Sequence, residues 1–174
     1  MGIQFETDYN METLTAMAKS LRKTVRRKRS RRVHIFAAVV LVLGILTILA
    51  TVAGGEPLGA SGVVTLLAML MVILVSLFED RLNAWFAKKR LLPGTEHAAA
   101  TFEEDGYVSA TSMSESKFSY AQIVAVAETE RYFVFALSSH HTQAYDKRNI
   151  RGGSVEDFRA FIAEKTGRPV EDIK

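Results

Sequence analysis

Two apolar runs, Val33–Ala53 and Leu58–Phe78, lie back to back in the first half of the chain. Each has about the length, roughly 20 residues at 1.5 Å rise, that a helix needs to cross a bilayer core. After His34 neither contains Lys, Arg, Asp, Glu or His, so neither would carry a charge into lipid without a partner. Only Gly54-Gly55-Glu56-Pro57 separates them, a turn too short for a folded domain. The pattern predicts a transmembrane hairpin with spans at about 33–53 and 58–78. A soluble hairpin buried in a large core is the competing reading. Buried soluble helices usually keep polar residues along one edge, however, and the rest of the chain is too short to wrap two wholly apolar helices. A cleaved signal peptide also fits poorly. The first run starts beyond position 32, exceeds a signal's apolar region, and lacks an Ala-x-Ala site before a polar start.

Charge sets the expected orientation. Lys19, Arg22, Lys23, Arg26, Arg27, Lys28, Arg29, Arg31 and Arg32 precede the first span, Arg81, Lys88, Lys89 and Arg90 follow the second, and the intervening turn has no basic residue. Positive flanks stay cytoplasmic, so both termini are expected on the cytoplasmic side of the membrane. Trp85 and Phe86 fall where aromatic rings favour the interface, and His34 reads as an interfacial residue rather than a ligand. The net charge of +3 hides this polarity. The basic cluster abuts a span and has no interleaved aromatics or nucleic-acid motif, so attraction to anionic lipid headgroups, about 1 kcal/mol per residue near the surface, is the simpler role. No nucleic-acid partner is expected. The chain has no cysteine, which excludes disulfides, thiol nucleophiles and thiolate metal sites.

The remaining pieces change period. Residues 1–32 form a cytoplasmic segment in which Leu14, Ala18, Leu21 and Val25 share one helical face. Asn10 is the expected N-cap and Glu12 suits the helix dipole. This helix, from about Met11, is expected to lie along the inner leaflet or run straight into the first span. Upstream, Ile3 and Phe5 alternate with polar residues and could add an edge strand to the C-terminal domain. Residues 33–90 hold the hairpin and a juxtamembrane helix end. From Thr101 the period is two: Thr101–Val108 reads as strand, Asp-Gly turn, strand. Tyr132–Leu137 is the most β-prone stretch, and Thr142–Asp146 a further short strand. Ser154 caps a last helix whose apolar face is Val155, Phe158, Phe161 and Ile162, ended by Gly167 and Pro169. Residues 95–168 thus form one small domain of meandering antiparallel strands plugged by a helix, with 169–174 as a tail. The fold class is an α+β membrane protein, a two-helix transmembrane hairpin followed by a small antiparallel β domain closed by a C-terminal helix.

In this order of pieces the chain resembles the YcxB-like family of bacterial membrane proteins. Thr101-Phe102-Glu103-Glu104-Asp105-Gly106-Tyr107 is similar to that family's opening strand and turn, and Tyr120-Ala121-Gln122-Ile123 with Val126 and Glu128 to its central segment. Tyr132-Phe133-Val134-Phe135 and Ala144-Tyr145-Asp146-Lys147-Arg148 resemble its following strands. Where the family commonly has an aromatic, often Trp, near Tyr120–Gln122, this chain has only Tyr120. The resemblance implies a pleckstrin-homology-like, GRAM-like cytoplasmic domain. It brings no catalytic residue and no cofactor with it.

The residues offer little chemistry of their own. His140-His141 would point to opposite faces of a strand and read as an exposed loop pair rather than a chelate. Glu103-Glu104-Asp105 lacks the ligand count of a cation loop, and Ser138, Ser139 and His140 lack a nucleophile elbow. Arg151-Gly152-Gly153 before a helix could cradle an anion, although such pairs are common. Glu79 and Asp80 sit at the edge of the second span rather than inside it. Gly44, Gly59 and Gly62 permit close helix contact, within the hairpin or between copies. No catalytic, metal or cofactor site is expected. The residues expected to face lipid or a partner are Arg26, Arg27, Lys28, Arg29, Lys88, Lys89, Arg90, Lys147, Arg148 and Arg151. The expected function is a non-catalytic inner-membrane protein whose cytoplasmic module binds a protein partner or a second copy of itself. An accessory subunit of a transporter or export system, and a membrane enzyme with an unrecognised site, are the alternatives.

Overall fold

A computed structural model describes residues 2–174. Its first element shows how the rest is organised. In β1 (Ile3–Asp8) Ile3, Phe5 and Thr7 are buried while Gln4 and Asp8 are exposed, the period-two pattern of a half-covered strand. The strand β1 pairs antiparallel with β2 (His97–Phe102), from Ile3↔Phe102 to Asp8↔His97. Everything between them is helical: α1 (Met11–Lys23), α2 (Arg27–Ala53), α3 (Ala60–Leu77) and α4 (Glu79–Lys89). The chain divides into two units, one comprising residues up to Arg27 together with Asn83–Lys174, the other Lys28–Leu82.

In the first unit β1 and β2 continue into β3 (Tyr107–Thr111) and β4 (Glu115–Phe118), a four-stranded sheet of order β1-β2-β3-β4. A second sheet is built from β5 (Ala125–Glu128), β6 (Tyr132–Ala136), β7 (Thr142–Asp146) and β8 (Val170–Asp172), in the order β7-β6-β5-β8. All neighbours are antiparallel except β5 and β8. The last helix, α5 (Val155–Thr166), is capped by Ser154, whose hydroxyl accepts from the Asp157 amide while the Asp157 carboxylate accepts from the Ser154 amide. Phe158 and Ile162 of α5 are fully buried among Phe5 and Phe102 of the first sheet and Phe133 and Phe135 of the second. The Phe158 ring centroid lies 4.8 Å from Phe102 and 5.0 Å from Phe133, so one side chain joins both sheets. The expected order, antiparallel sheets and then a closing helix, is what is observed.

Two sequence-based expectations change. The edge strand expected from Ile3 and Phe5 is present as β1 at the edge of the first sheet, whereas α1 packs its apolar face on the β unit and does not run straight into α2. Leu14 and Leu21 are buried, Ala16 and Met17 pack on a cluster of Ala127, Tyr132, Val134, Ala144 and Ile173, and the Thr13 hydroxyl lies 3.1 Å from that of Tyr132. The chain then turns at Thr24–Arg26 before α2 begins. An amphipathic period announces that a face must be covered, and a sheet satisfies that as well as a bilayer does. The expected tail also folds. Val170–Asp172 pair parallel with Val126–Glu128, the Ile173 amide donates to the Glu128 carbonyl (2.7 Å), and Ile173 is buried.

The second unit consists of α2 from Lys28, α3, and the first turn of α4. Both α2 and α3 are long and apolar enough to cross a membrane, and α2 has no buried residue. They are joined through Gly55, whose φ of +72° favours glycine. A Cβ on Gly44 would lie 2.6 Å from Met69 Sδ, so this glycine admits the methionine side chain between the helices. Gly59 faces open space, and Gly62 is approached by Leu58 of the same segment. Only Gly44 therefore serves packing between the two helices.

Candidate functional site

The basic residues singled out in the sequence fall into separate groups. Lys147, Arg148 and Arg151 follow the far end of β7, where acids meet them. Lys147 Nζ donates to Glu128 Oε1 (2.9 Å) and to the Thr129 carbonyl (2.7 Å) and lies over the Phe133 ring. Glu128 is buried and also accepts two bonds from Arg159, at 2.6 and 2.8 Å. Arg159 first, and Lys147 after it, hold the Glu128 carboxyl below its usual range against the opposing effect of desolvation. Buried Asp146 accepts from Arg131 and Arg148, and Arg131 reaches on to Glu12. Arg151 pairs with Glu6 at 3.3 Å. These contacts fasten β1, α1 and α5 to the second sheet. Lys147, only 15% exposed at its side chain, is a structural residue.

Arg26 and Arg90 lie at the other end of the β6–β7 hairpin, beside the turn that contains His140. Lys147 stands five residue steps along the chain from Thr142, on the order of 16 Å at 3.3 Å per residue. Lys147, Arg148 and Arg151 thus follow one end of β7, and Arg26 and Arg90 lie beside the other. Arg26 Nε donates to the Ser139 carbonyl at 2.6 Å. Lys89 Nζ sits 3.6 Å from the centroid of the Trp85 ring, and Lys88 and Arg90 are exposed. Arg27 is exposed at the start of α2; Lys28 and Arg29 are exposed on the same helix and belong to the second unit.

At the Arg26 and Arg90 end the first unit has a groove. One part, of about 370 Å³, runs between Leu14 and Leu21 of α1 and Phe86 of α4, with Arg26, Arg90 and His140 on its walls. It adjoins a second part of about 420 Å³, lined among others by Ser109, Ser116, Phe118, His141 and Gln143. The Gln143 side-chain oxygen Oε1 accepts from the hydroxyls of Tyr107 and Tyr145, both at 2.7 Å, and burial pushes both phenols above their ordinary range. A separate cavity of about 530 Å³ is lined by charges of both signs, Glu12, Lys19, Glu130, Arg131, Asp172 and Lys174. The groove is assembled from α1, α4, β3, β4 and the β6–β7 turn, so no local spacing could have announced it.

Other motifs resolve into structure. Ser139 Oγ lies 2.8 Å from His140 Nδ1 in an exposed turn, and no described carboxylate orients that imidazole as a nucleophile–base pair would need. The His141 ring packs edge-on to Phe118. Among the described residues no three His, Asp or Glu side chains gather as a metal set would. The acidic turn is held by Tyr120, whose hydroxyl donates to the Glu103 and Gly106 carbonyls at 2.6 and 3.0 Å, and Glu104 pairs with Lys165. Gly152, with φ of +82°, allows β1 to pass: a Cβ there would sit 2.6 Å from the Gly2 carbonyl, and Gln4 and Arg151 exchange two backbone bonds. With Ser154 and Asp157 capping the first turn of α5, no anion cradle is left. Within the second unit His34 Nε2 lies 3.6 Å from Glu79.

Residues 102–162 match the family of YcxB-like proteins. The matched stretch starts at the last residue of β2 and ends within α5. No curated protein and no solved structure matches the chain.

Proposed function

We propose that this YcxB-like chain is a non-catalytic integral protein of a bacterial inner membrane, with α2 and α3 crossing the bilayer and the two-sheet unit on the cytoplasmic side. The observation that carries this reading is where apolar side chains go. Phe36, Leu67 and Leu77 are 69%, 60% and 72% exposed, whereas Phe102, Tyr107, Phe133 and Phe135 of the two sheets are at most 1% exposed. At about 25 cal/mol per Å² of apolar surface, two helices uncovered on this scale call for a solvent other than water. The basic flanks at both ends of the hairpin support a cytoplasmic unit. Four strands, three more and a closing helix resemble the pleckstrin-homology order, with the hairpin inserted between the first strand and the second.

The module binds a protein partner or a second copy near the inner leaflet. Its edge strand β4 presents Glu115, Ser116 and Lys117 to solvent and pairs with β3 on one side only, an arrangement suited to strand addition. Because the chain has no cysteine, single cysteines report topology cleanly. Glu56→Cys should react with an impermeant maleimide on intact cells and Glu130→Cys only after permeabilisation. Equal labelling of the two, or protein recovered without detergent, would sink the membrane reading. Mass determination in detergent then separates a homo-oligomer from a monomer that arrives with one stoichiometric partner, and a lone monomer overturns the binding-module proposal.

A further inference from the structure

We infer that the groove between α1, α4 and the β6–β7 turn binds the headgroup of an anionic phospholipid, with Arg26 and Arg90 as its phosphate-binding side chains. The inference rests on the reading that α2 and α3 cross a bilayer. Charge is the first argument. Neither part of the groove has an Asp or Glu among its lining residues, whereas the third cavity of the same unit is lined by Glu12, Glu130 and Asp172. Arg131, Arg148, Arg151 and Arg159 each meet a carboxylate. Arg26 and Arg90 meet none among the described contacts. Arg26 spends its Nε on the Ser139 carbonyl, which fixes the guanidinium plane and leaves both terminal nitrogens for an oxyanion.

The lining chemistry narrows the class of anion. Leu14, Leu21 and Phe86 offer an apolar wall that a free phosphate would not use. Ser109, Ser116 and Gln143 in the adjoining part offer donors and acceptors suited to a hydroxylated headgroup. Both requirements are met by an amphiphile with a phosphate at the rim, and phosphatidylglycerol is the simplest probe. Connectivity supplies the last argument. Arg26 immediately precedes α2, and Asn83, also on the groove, follows α3 within the next two turns of chain. If those helices span the bilayer, Arg26 and Asn83 are the groove residues that adjoin them in the chain.

The test uses the full chain in a neutral detergent, with bound lipid counted by native mass spectrometry. Short-chain phosphatidylglycerol, short-chain phosphatidylcholine and inorganic phosphate are the probes. Retention of one phosphatidylglycerol per chain is expected, with at least about tenfold preference over phosphatidylcholine. Arg90→Gln alone should cut that preference several-fold, and adding Arg26→Gln should abolish it. Arg148→Gln with Arg151→Gln should leave it intact. The Arg90 side chain makes no described hydrogen bond, so its single variant keeps the test valid if Arg26→Gln disturbs the turn. Equal retention of the two lipids, preference surviving in the double variant, or inorganic phosphate displacing phosphatidylglycerol at equal concentration would each overturn the inference. The cysteine labelling is independent: a lipid failure with correct topology removes this site alone, and a topology failure removes the premise.

Discussion

The two units use apolar residues in opposite ways. In the two-sheet unit Phe5, Phe102, Phe133, Phe135 and Phe158 are each no more than 1% exposed, interlocked edge to face around α5. In the hairpin unit side chains of equal hydrophobicity point outward, and the few internal contacts include the approach of Met69 to Gly44. The first unit solves its folding problem internally, by shape. The second is a pair of helices whose outer surface is left for the surroundings to cover. Polar groups follow the same division. Glu128, Asp146 and Gln143 are buried only where bonded in the sheets, while α2 and α3 are helices that satisfy their backbone within themselves.

The sharpest way to break this contrast is to separate the units. Residues 95–174 alone lack β1 and α1, so they should fail to fold, giving collapsed amide dispersion by NMR. Residues 2–26 joined by a short linker to 83–174 should give a folded, water-soluble protein. Next in size is truncation on the two sides of the comparison. Phe158→Ala should lose about 3–5 kcal/mol from the sheet unit by leaving a cavity between the sheets. Leu67→Ala, on an outward face, should change stability by less than about 1 kcal/mol in lipid. Hydrogen exchange of the full chain in nanodiscs reads both. Equal losses would mean that the hairpin is itself a packed core.

Much of the first unit was legible from residues alone. The alternation of Thr101–Val108, the run Tyr132–Leu137 and the punctuation of α5 by Ser154 and Gly167 placed strands and helix because each signal is local. The role of Lys147 was not legible. A lysine after a strand looks like a solvated or lipid-facing cation until Glu128 and Arg159, distant in sequence, are seen beside it. The groove was invisible for the same reason, since Arg26, Arg90 and His140 come from three separate stretches of chain.

Smaller effects refine the comparison. Glu128→Gln should cost about 2 kcal/mol, leaving Arg159 and Lys147 without their anion. Because the folded-state carboxyl titrates below its unfolded value, its contribution is present above about pH 4.3 and fades as pH falls through the folded value. Acid unfolding of the variant should therefore be shallower over that range, and an unchanged profile would remove Glu128 from the account. In the hairpin unit Gly44→Leu should cost about 1–2 kcal/mol by displacing Met69, with Met69→Ala restoring part of the loss. Gly59→Ala, facing open space, should be nearly silent, and thermal unfolding in nanodiscs compares the two.

The sequence by itself determined the hairpin, its charged flanks, most strands and the closing helix, because hydrophobic period, charge asymmetry and capping are properties of neighbours in the chain. Only the tertiary structure decided that β1 and α1 belong with β2 to β8 across the whole length of the hairpin, that Val170–Asp172 complete a sheet, and that the basic residues divide into a paired set and a set around an acid-free groove. Those outcomes depend on which distant segments share a surface. A local pattern announces that a face will be covered or a charge met, and packing chooses the partner.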